Sequence, residues 1–243
     1  MQVPQGQMGV IFMGQAGLII KTPKGELAGI DLYLSDCCER YHGFKRLMPK
    51  LISTTDIEFD YIITTHSHYD HFDVDAIPQL LAPQKTKLYC ALDCKAECDR
   101  LGIKEDRVVY LEKDKTVTAG SLTITPVACD HGELAPYAVG LYIECEGKSL
   151  YLAGDTCYRE DYALEMAKRK VDIMFAPING AYGNLNEAEG AKTFSIVKPG
   201  ICVPCHYWNF AIHGGNPQLF LDEMKKYPEL NVRLMTQGES III

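Results

Sequence analysis

The chain has 243 residues, with 24 Lys and Arg against 32 Asp and Glu for a formal net charge of −8. Hydrophobic residues make up 47% and charged residues 23%, which excludes a disordered chain and supplies a substantial core. The acidic balance argues against a nonspecific binder of nucleic acid or of anionic membranes, either of which needs a basic face.

No stretch reaches the ~20 apolar residues of a membrane-spanning helix. No Lys or Arg precedes the first apolar run, so a signal peptide is not expected and the chain reads as cytoplasmic. Ten cysteines in a chain this rich in core residues read as free thiols in a reducing compartment rather than as a disulfide framework. With no linker or low-complexity segment, residues 1–243 are expected to form one domain.

In chain order, apolar runs at 8–13, 18–21 and 27–34, separated by Gln15-Ala16-Gly17 and Pro23-Lys24-Gly25, predict an antiparallel meander. From residue 60 onward, strands are predicted at 61–65, 87–92, 108–111 and 122–128, with helices at 74–81 and 93–101 between them. The second half is expected to hold strands at 138–144, 149–153, 171–176, 201–203, 232–235 and 240–243. Helices are expected at 160–170, 186–197 and 216–227. This order suggests an α/β fold of two packed sheets with helices outside.

The seven histidines are not scattered. Three occupy His66-Ser67-His68-Tyr69-Asp70-His71, directly after the apolar run Tyr61-Ile62-Ile63. His131, Asp155 and His206 each follow another apolar run, so four separate strands end in metal-ligating residue types. In layered α/β folds ligands collect at such ends. Side chains two apart in an extended segment face the same way, so His66 and His68 can grip one ion, with His131 as third ligand. Asp70 and His71 lie past the turn and, with His206, form a second set, which Asp155 can bridge to the first through its two oxygens.

A single histidine after a strand is ordinarily a satisfied surface or core residue, and His42 and His213 are read that way. Three imidazoles and a carboxylate within six residues are different, because without a cation they repel when protonated and waste core volume when neutral. Two divalent ions are therefore expected. Imidazole and carboxylate sets suit Zn, Mn and Fe alike.

The cysteines carry less. Cys94 and Cys98 share a helix face and, with Cys90, read as small apolar residues of a buried stripe. Cys202-Val203-Pro204-Cys205 has redox spacing but ends a strand, where an offset of three points the two thiols to opposite faces. Cys157 and Cys205 each lie within two residues of an expected ligand, so oxidation there is a route to inhibition.

With these residues in view, His66-Ser67-His68-Tyr69-Asp70-His71, His131, Gly154-Asp155-Thr156 and His206 resemble the metallo-β-lactamase superfamily across nearly the whole chain. Within it, residues 8–34, 59–74, 152–158 and 203–209, and the helix ending Met224-Lys225-Lys226, resemble the L-ascorbate-6-phosphate lactonase group. The resemblance implies an αββα four-layer sandwich with a metal pair, usually zinc and in the lactonase manganese, and hydrolysis of esters, lactones, amides, thioesters or phosphodiesters. Redox members generally have a glutamate where His68 stands, so its presence favours hydrolysis.

The expected chemistry is a hydroxide generated at the dinuclear site, its water pKa lowered towards ~7, with Asp70 orienting it. The substrate is expected to be a small molecule, a lactone or ester with or without a phosphate. Candidate substrate contacts are Tyr158, Arg159, Asn179, Tyr182, Tyr207 and Trp208, from loops beside the ligand-bearing turns. Arg159 either holds an anionic group through its planar fork or is a solvated helix-start residue. Two alternatives stand beside this reading: phosphodiester cleavage on the same metal pair, and a metal-binding sensor without turnover. No nucleic-acid or membrane partner is expected, and a homo-oligomer is compatible with the sequence.

Overall fold

The computed structural model describes residues 1–133 and 135–243. The predicted meander forms as β1 (Gly9–Gly14), β2 (Gly17–Lys21) and β3 (Leu27–Ile30), paired antiparallel in order. β4 (Tyr61–Thr64), β5 (Lys87–Ala91) and β6 (Val108–Leu111) continue the sheet in parallel from β3. Next come β7 (Val117–Ala119), β8 (Leu122–Ala128), β9 (Val139–Cys145) and β10 (Lys148–Leu152), an antiparallel run. β11 (Ile173–Pro177) and β12 (Cys202–Cys205) then add parallel to β10. β13 (Ser240–Ile242) returns to pair with β1. The result is a seven-stranded sheet, β13-β1-β2-β3-β4-β5-β6, and a six-stranded sheet, β12-β11-β10-β9-β8-β7.

The two sheets share an apolar interior. Phe12 of β1 stacks on Phe175 of β11 with ring centroids 6.3 Å apart, and Ile20, Ile30, Ile63, Leu141, Leu150 and Val203 are fully buried around them. Among the helices are α1 (Cys37–His42), α2 (Ile77–Leu80) and α3 (Lys95–Arg100). Ile77, Leu80 and Cys98 from α2 and α3 join this interior. A second cluster packs α4 (Glu160–Met166), α5 (Glu187–Val197) and α6 (Pro217–Met224) on the second sheet through Ala163, Phe194 and Phe220. This is the αββα arrangement expected, with helices outside two sheets.

Local chemistry sets the helix boundaries. Asn186 and Glu189 form a reciprocal capping box at the start of α5. Asn216 accepts from the backbone of Gln218 and Leu219 ahead of Pro217, opening α6. The helix expected over 74–81 is regular only over Ile77–Leu80, although Asp73 accepts from the backbone N–H groups of Asp75 and Ala76 in the manner of an N-cap.

Three local expectations fail. The strand over 232–235 is absent: pairing is one bridge between Cys202 and Val232, after which Arg233 turns its guanidinium to Glu239. The strand expected over 27–34 stops at Ile30, because Asp31 takes a left-handed backbone at φ 46°. Neither α1 nor β7 was expected, each being too short to show a period. The Cys202/Cys205 parity argument holds, since Cys202 faces the helix-side cluster and Cys205 the inter-sheet interior, and all ten cysteines are free. Pro204 lies on β12, the edge strand of its sheet, where a missing N–H costs no ladder bond on the open side.

Candidate metal centre

The ligand-type residues meet where strands of both sheets end. His66 lies just past β4, Asp155 just past β10, His206 just past β12 and His131 beyond β8. Backbone links hold these ends together, with Val139 N–H donating to Thr65 O at 3.0 Å and His206 N–H donating to Gln15 O at 2.8 Å. Past His68 the chain turns back, the N–H groups of His71 and Phe72 both bonding His68 O, which brings Asp70 and His71 to His206. Gly154 takes φ +72° against the Val139 carbonyl and the Cys129 thiol, so a side chain there would crowd the Asp155 turn.

Two convergent groups result. In the first, His68 Nδ1 lies 3.1 Å from His66 Nε2 and 3.0 Å from His131 Nε2. In the second, His71 Nε2 lies 3.2 Å from His206 Nε2 and 3.5 Å from Asp70 Oδ2, and His206 Nε2 lies 3.3 Å from Asp70 Oδ2. Asp155 spans both: Oδ1 is 3.4 Å from His71 Nε2, while Oδ2 is 3.0 Å from His206 Nε2 and 3.9 Å from His131 Nε2. The seven residues are thus brought together in the two sets read from the sequence. His66, His71 and Asp155 also converge as a third overlapping trio.

These distances fit a cation. Nitrogens bound tetrahedrally at 2.0–2.1 Å are separated from one another by about 3.3 Å, close to the gaps between the facing rings. The rings are also turned the right way. His71 Nδ1 donates to Asp31 Oδ2 at 2.8 Å, which leaves its Nε2 lone pair for the centre. Thr65 Oγ1 donates to Asp31 Oδ2 at 2.7 Å, so it accepts from His66 Nδ1 at 3.0 Å and directs that ring's Nε2 inward too. Such outer partners set the tautomer of a ligating histidine.

The two groups titrate in opposite directions. Burial holds His66 well below its ordinary value, lowers His68 and pushes His131 down to about 4, so the first group is neutral and ligand-ready. In the second group burial also opposes charge, but the Asp155, Asp70 and Asp31 carboxylates outweigh it and raise His71 well above 6.5. Asp155 and Asp70 likewise raise His206 to about 9. Burial works to raise Asp70 and Asp155, yet the His71 and His206 charges hold both well below the usual carboxylate range. The carboxylates thus favour a positive charge at this point, either a proton on His71 and His206 or a cation that displaces it.

Several members of this site were not singled out from the sequence. Asp31 is fully buried and obeys the same strand-end pattern, following β3; reading the strand through residue 34 hid it. Gln15 Nε2 donates to Asp70 Oδ2 at 2.8 Å, and Asn184 Nδ2 donates to Asp155 Oδ2 at 2.8 Å. Neither carries a sequence signal, since a lone amide is common in turns. His213, read as an ordinary structural residue, stacks on His206 with centroids 5.6 Å apart and lines the cavity over the centre, as does His42.

That cavity holds about 630 Å³ and opens over Asp70, Asp155, His68, His131 and His206, a size suited to a small molecule. Of the six expected substrate contacts, only Tyr182 lines it. Arg159 instead bonds Asp130 and Asp161 at 2.8 Å each and lies over the Tyr162 ring, so its fork is already occupied. Asn179 is buried and accepts from Asn184. Tyr158 and Tyr207 pack with the helix-side cluster, and Trp208 is 57% exposed outside the cavity.

A buried cage of histidines and aspartates at the strand ends of an αββα sandwich defines a metallo-β-lactamase-type fold. The chain belongs to the family described as "Beta-lactamase superfamily domain", whose model matches residues 31–207, from Asp31 to just past His206. A curated relative from Polynucleobacter asymbioticus, described as a UPF0173 metal-dependent hydrolase, is 27% identical over 255 residues, covering 98% of this chain and 87% of its own. Among solved structures, the metallo hydrolase Igni18 of Ignicoccus hospitalis superposes with a TM-score of 0.76 at 18% identity, covering 98% of each chain. An isothiocyanate hydrolase from Delia radicum gut bacteria reaches a TM-score of 0.75 at 21% identity, covering 96% of this chain and 98% of its own. At these identities the structural likenesses establish the fold alone.

Proposed function

We propose that the chain is a metal-dependent hydrolase that holds two divalent cations and cleaves a small ester or lactone. The observation that carries this is Asp155, whose two oxygens reach both ligand groups on the floor of an open cavity. His66, His68 and His131 would hold one ion, and Asp70, His71 and His206 the other, with Asp155 between them. Zn or Mn suits this donor set, and Fe is compatible with it. A bound pair supplies a water of pKa near ~7 and polarises a carbonyl oxygen.

The chain's own residues do the positioning. Gln15 pins Asp70 Oδ2, so the Asp70 carboxylate is held in place to orient an attacking water. Asn184 pins Asp155, and Asp31 pins His71 in the tautomer that presents Nε2. Tyr182 and His213 line the cavity together, their ring centroids 5.1 Å apart. The metal-dependent hydrolase description of the Polynucleobacter relative supports the reading. A phosphorylated lactone, as in the lactonase group, is less well served: among the described residues no Lys or Arg lines the cavity.

The test is metal content of protein purified without added metal, together with turnover on lactone, aryl ester and bis-aryl phosphodiester panels. Two ions per chain with lactone or ester hydrolysis is expected, and His68→Ala should lose metal and turnover together. Diester turnover alone would shift the assignment to a phosphodiesterase; no turnover at full metal load would leave a metal-binding sensor.

A further inference from the structure

Resting on the hydrolase reading, the cavity wall narrows the substrate. Beyond the ligands, five rings follow one another along it. His42 meets Tyr69 at 5.4 Å and Phe44 at 5.9 Å between centroids, Phe44 meets Tyr182 at 6.0 Å, and Tyr182 meets His213 at 5.1 Å. All five line the cavity. Tyr182 is more than half exposed and held in a left-handed backbone at φ 56°, so an open aromatic face is kept at the mouth at the cost of local strain.

The charges on this wall are of one sign. Apart from the two ligand aspartates, the carboxylates lining it are Asp93 and Glu97, and among the described residues no Lys or Arg lines it. Glu97 is already engaged, accepting from Arg100 Nε at 2.8 Å and from the Tyr69 hydroxyl at 3.3 Å. Asp93 has no basic partner: its carboxyl is held by the backbone N–H groups of Ser67 and Cys94, and its Oδ2 is buried. Burial accordingly pushes the Asp93 carboxyl up to about 6, still ionised for the most part at neutral pH.

We infer that the non-reacting part of the substrate is a flat aromatic group, neutral or carrying an ammonium, that packs on the Phe44–Tyr182 face beside the Asp93 carboxylate. Aromatic faces stack with flat groups and attract cations. An anionic substituent on this part of the molecule meets carboxylates and ring faces with no Lys or Arg on the wall to compensate it, so the wall rejects it. Asp93 is in this reading a specificity-determining residue.

The experiment compares kcat/KM on 4-(aminomethyl)phenyl acetate with that on 4-sulfophenyl acetate, using metal-loaded protein. The ratio is taken for wild type, Asp93→Asn and Ala96→Lys, so differences in leaving-group reactivity cancel. Ala96 is exposed on α3 and lines the cavity, so lysine there adds a cation without disturbing the core. Each substitution should lower the ratio by about tenfold, the effect of changing one unit of charge on the cavity wall. Unchanged thermal midpoint and metal content certify each variant as folded.

Titration calorimetry with benzylammonium and benzenesulfonate reads the same preference without turnover. Ester hydrolysis with an unchanged ratio in both variants overturns this inference and leaves the hydrolase reading standing. No hydrolysis, but benzylammonium binding weakened in both variants, sinks the hydrolase reading and upholds the cavity's preference. Neither hydrolysis nor a binding difference removes both.

Discussion

Asp31→Asn is a one-atom test of the metal centre. The Asp31 carboxylate accepts three hydrogen bonds, from Thr65 N–H to Oδ1 at 2.8 Å, and from Thr65 Oγ1 and His71 Nδ1 to Oδ2 at 2.7 and 2.8 Å. An asparagine amide can accept at only one end, so its NH₂ must face a donor whichever way it is placed. At the Oδ1 position it meets a backbone N–H that cannot adapt. At the Oδ2 position it meets a hydroxyl that can rotate and an imidazole that can move its proton to Nε2. The amide nitrogen therefore takes the Oδ2 position, and His71 loses the lone pair that points at the centre. Loss of such an outer partner costs about 10–100-fold in metal affinity, or about 1.4–2.8 kcal/mol. Chelator-competition titration measures it directly, with urea unfolding of metal-free protein as the control for folding. A variant that folds and binds metal within twofold of wild type would refute the assignment of His71 as a ligand oriented by Asp31.

Two further outcomes follow from the fold and from the cavity. Phe175→Ala removes a fully buried ring from between the sheets, where it stacks on Phe12. A urea midpoint corresponding to about 3–5 kcal/mol of lost stability is expected, and a loss below 1 kcal/mol would mean the sheets do not pack there. His213 is pushed down to about 4, first by burial and then by His206. The unfolded chain therefore binds its proton near pH 6.5 while the folded chain does not, so this group destabilises the fold progressively as pH falls from 6.5 towards 4. His213→Gln should make metal-free stability fall less steeply across that window, measured by urea unfolding at stepped pH; an unchanged slope would show that His213 is not buried as described.

Local geometry accounts for most of what the sequence reveals of this fold and site. His66, His68, Asp70 and His71 were legible because strand alternation and one turn, both set by neighbouring residues, decide which way each side chain points. His131, Asp155 and His206 were legible as a pattern, residue types that bind metals recurring after apolar runs. The αββα layering followed from the order of strands and helices. Asp31 obeyed the same rule and was lost to an overlong strand, since nothing local announces that the backbone turns left-handed at that residue.

What the amino-acid order determined by itself, then, was the set of strand-end residues able to bind a metal and their division into two groups. Only the tertiary structure decided which partners orient them and what the cavity presents to a substrate. Asp31 reaches His71 across forty positions, and Gln15 reaches Asp70 across fifty-five. Arg159 looked free for an anion until Asp130, twenty-nine positions away, was found bonded to it. Hydrogen bonds and ring contacts of that kind depend on where two sheets come to rest against each other. That placement is a property of the whole packed interior, and no window of neighbouring residues contains it.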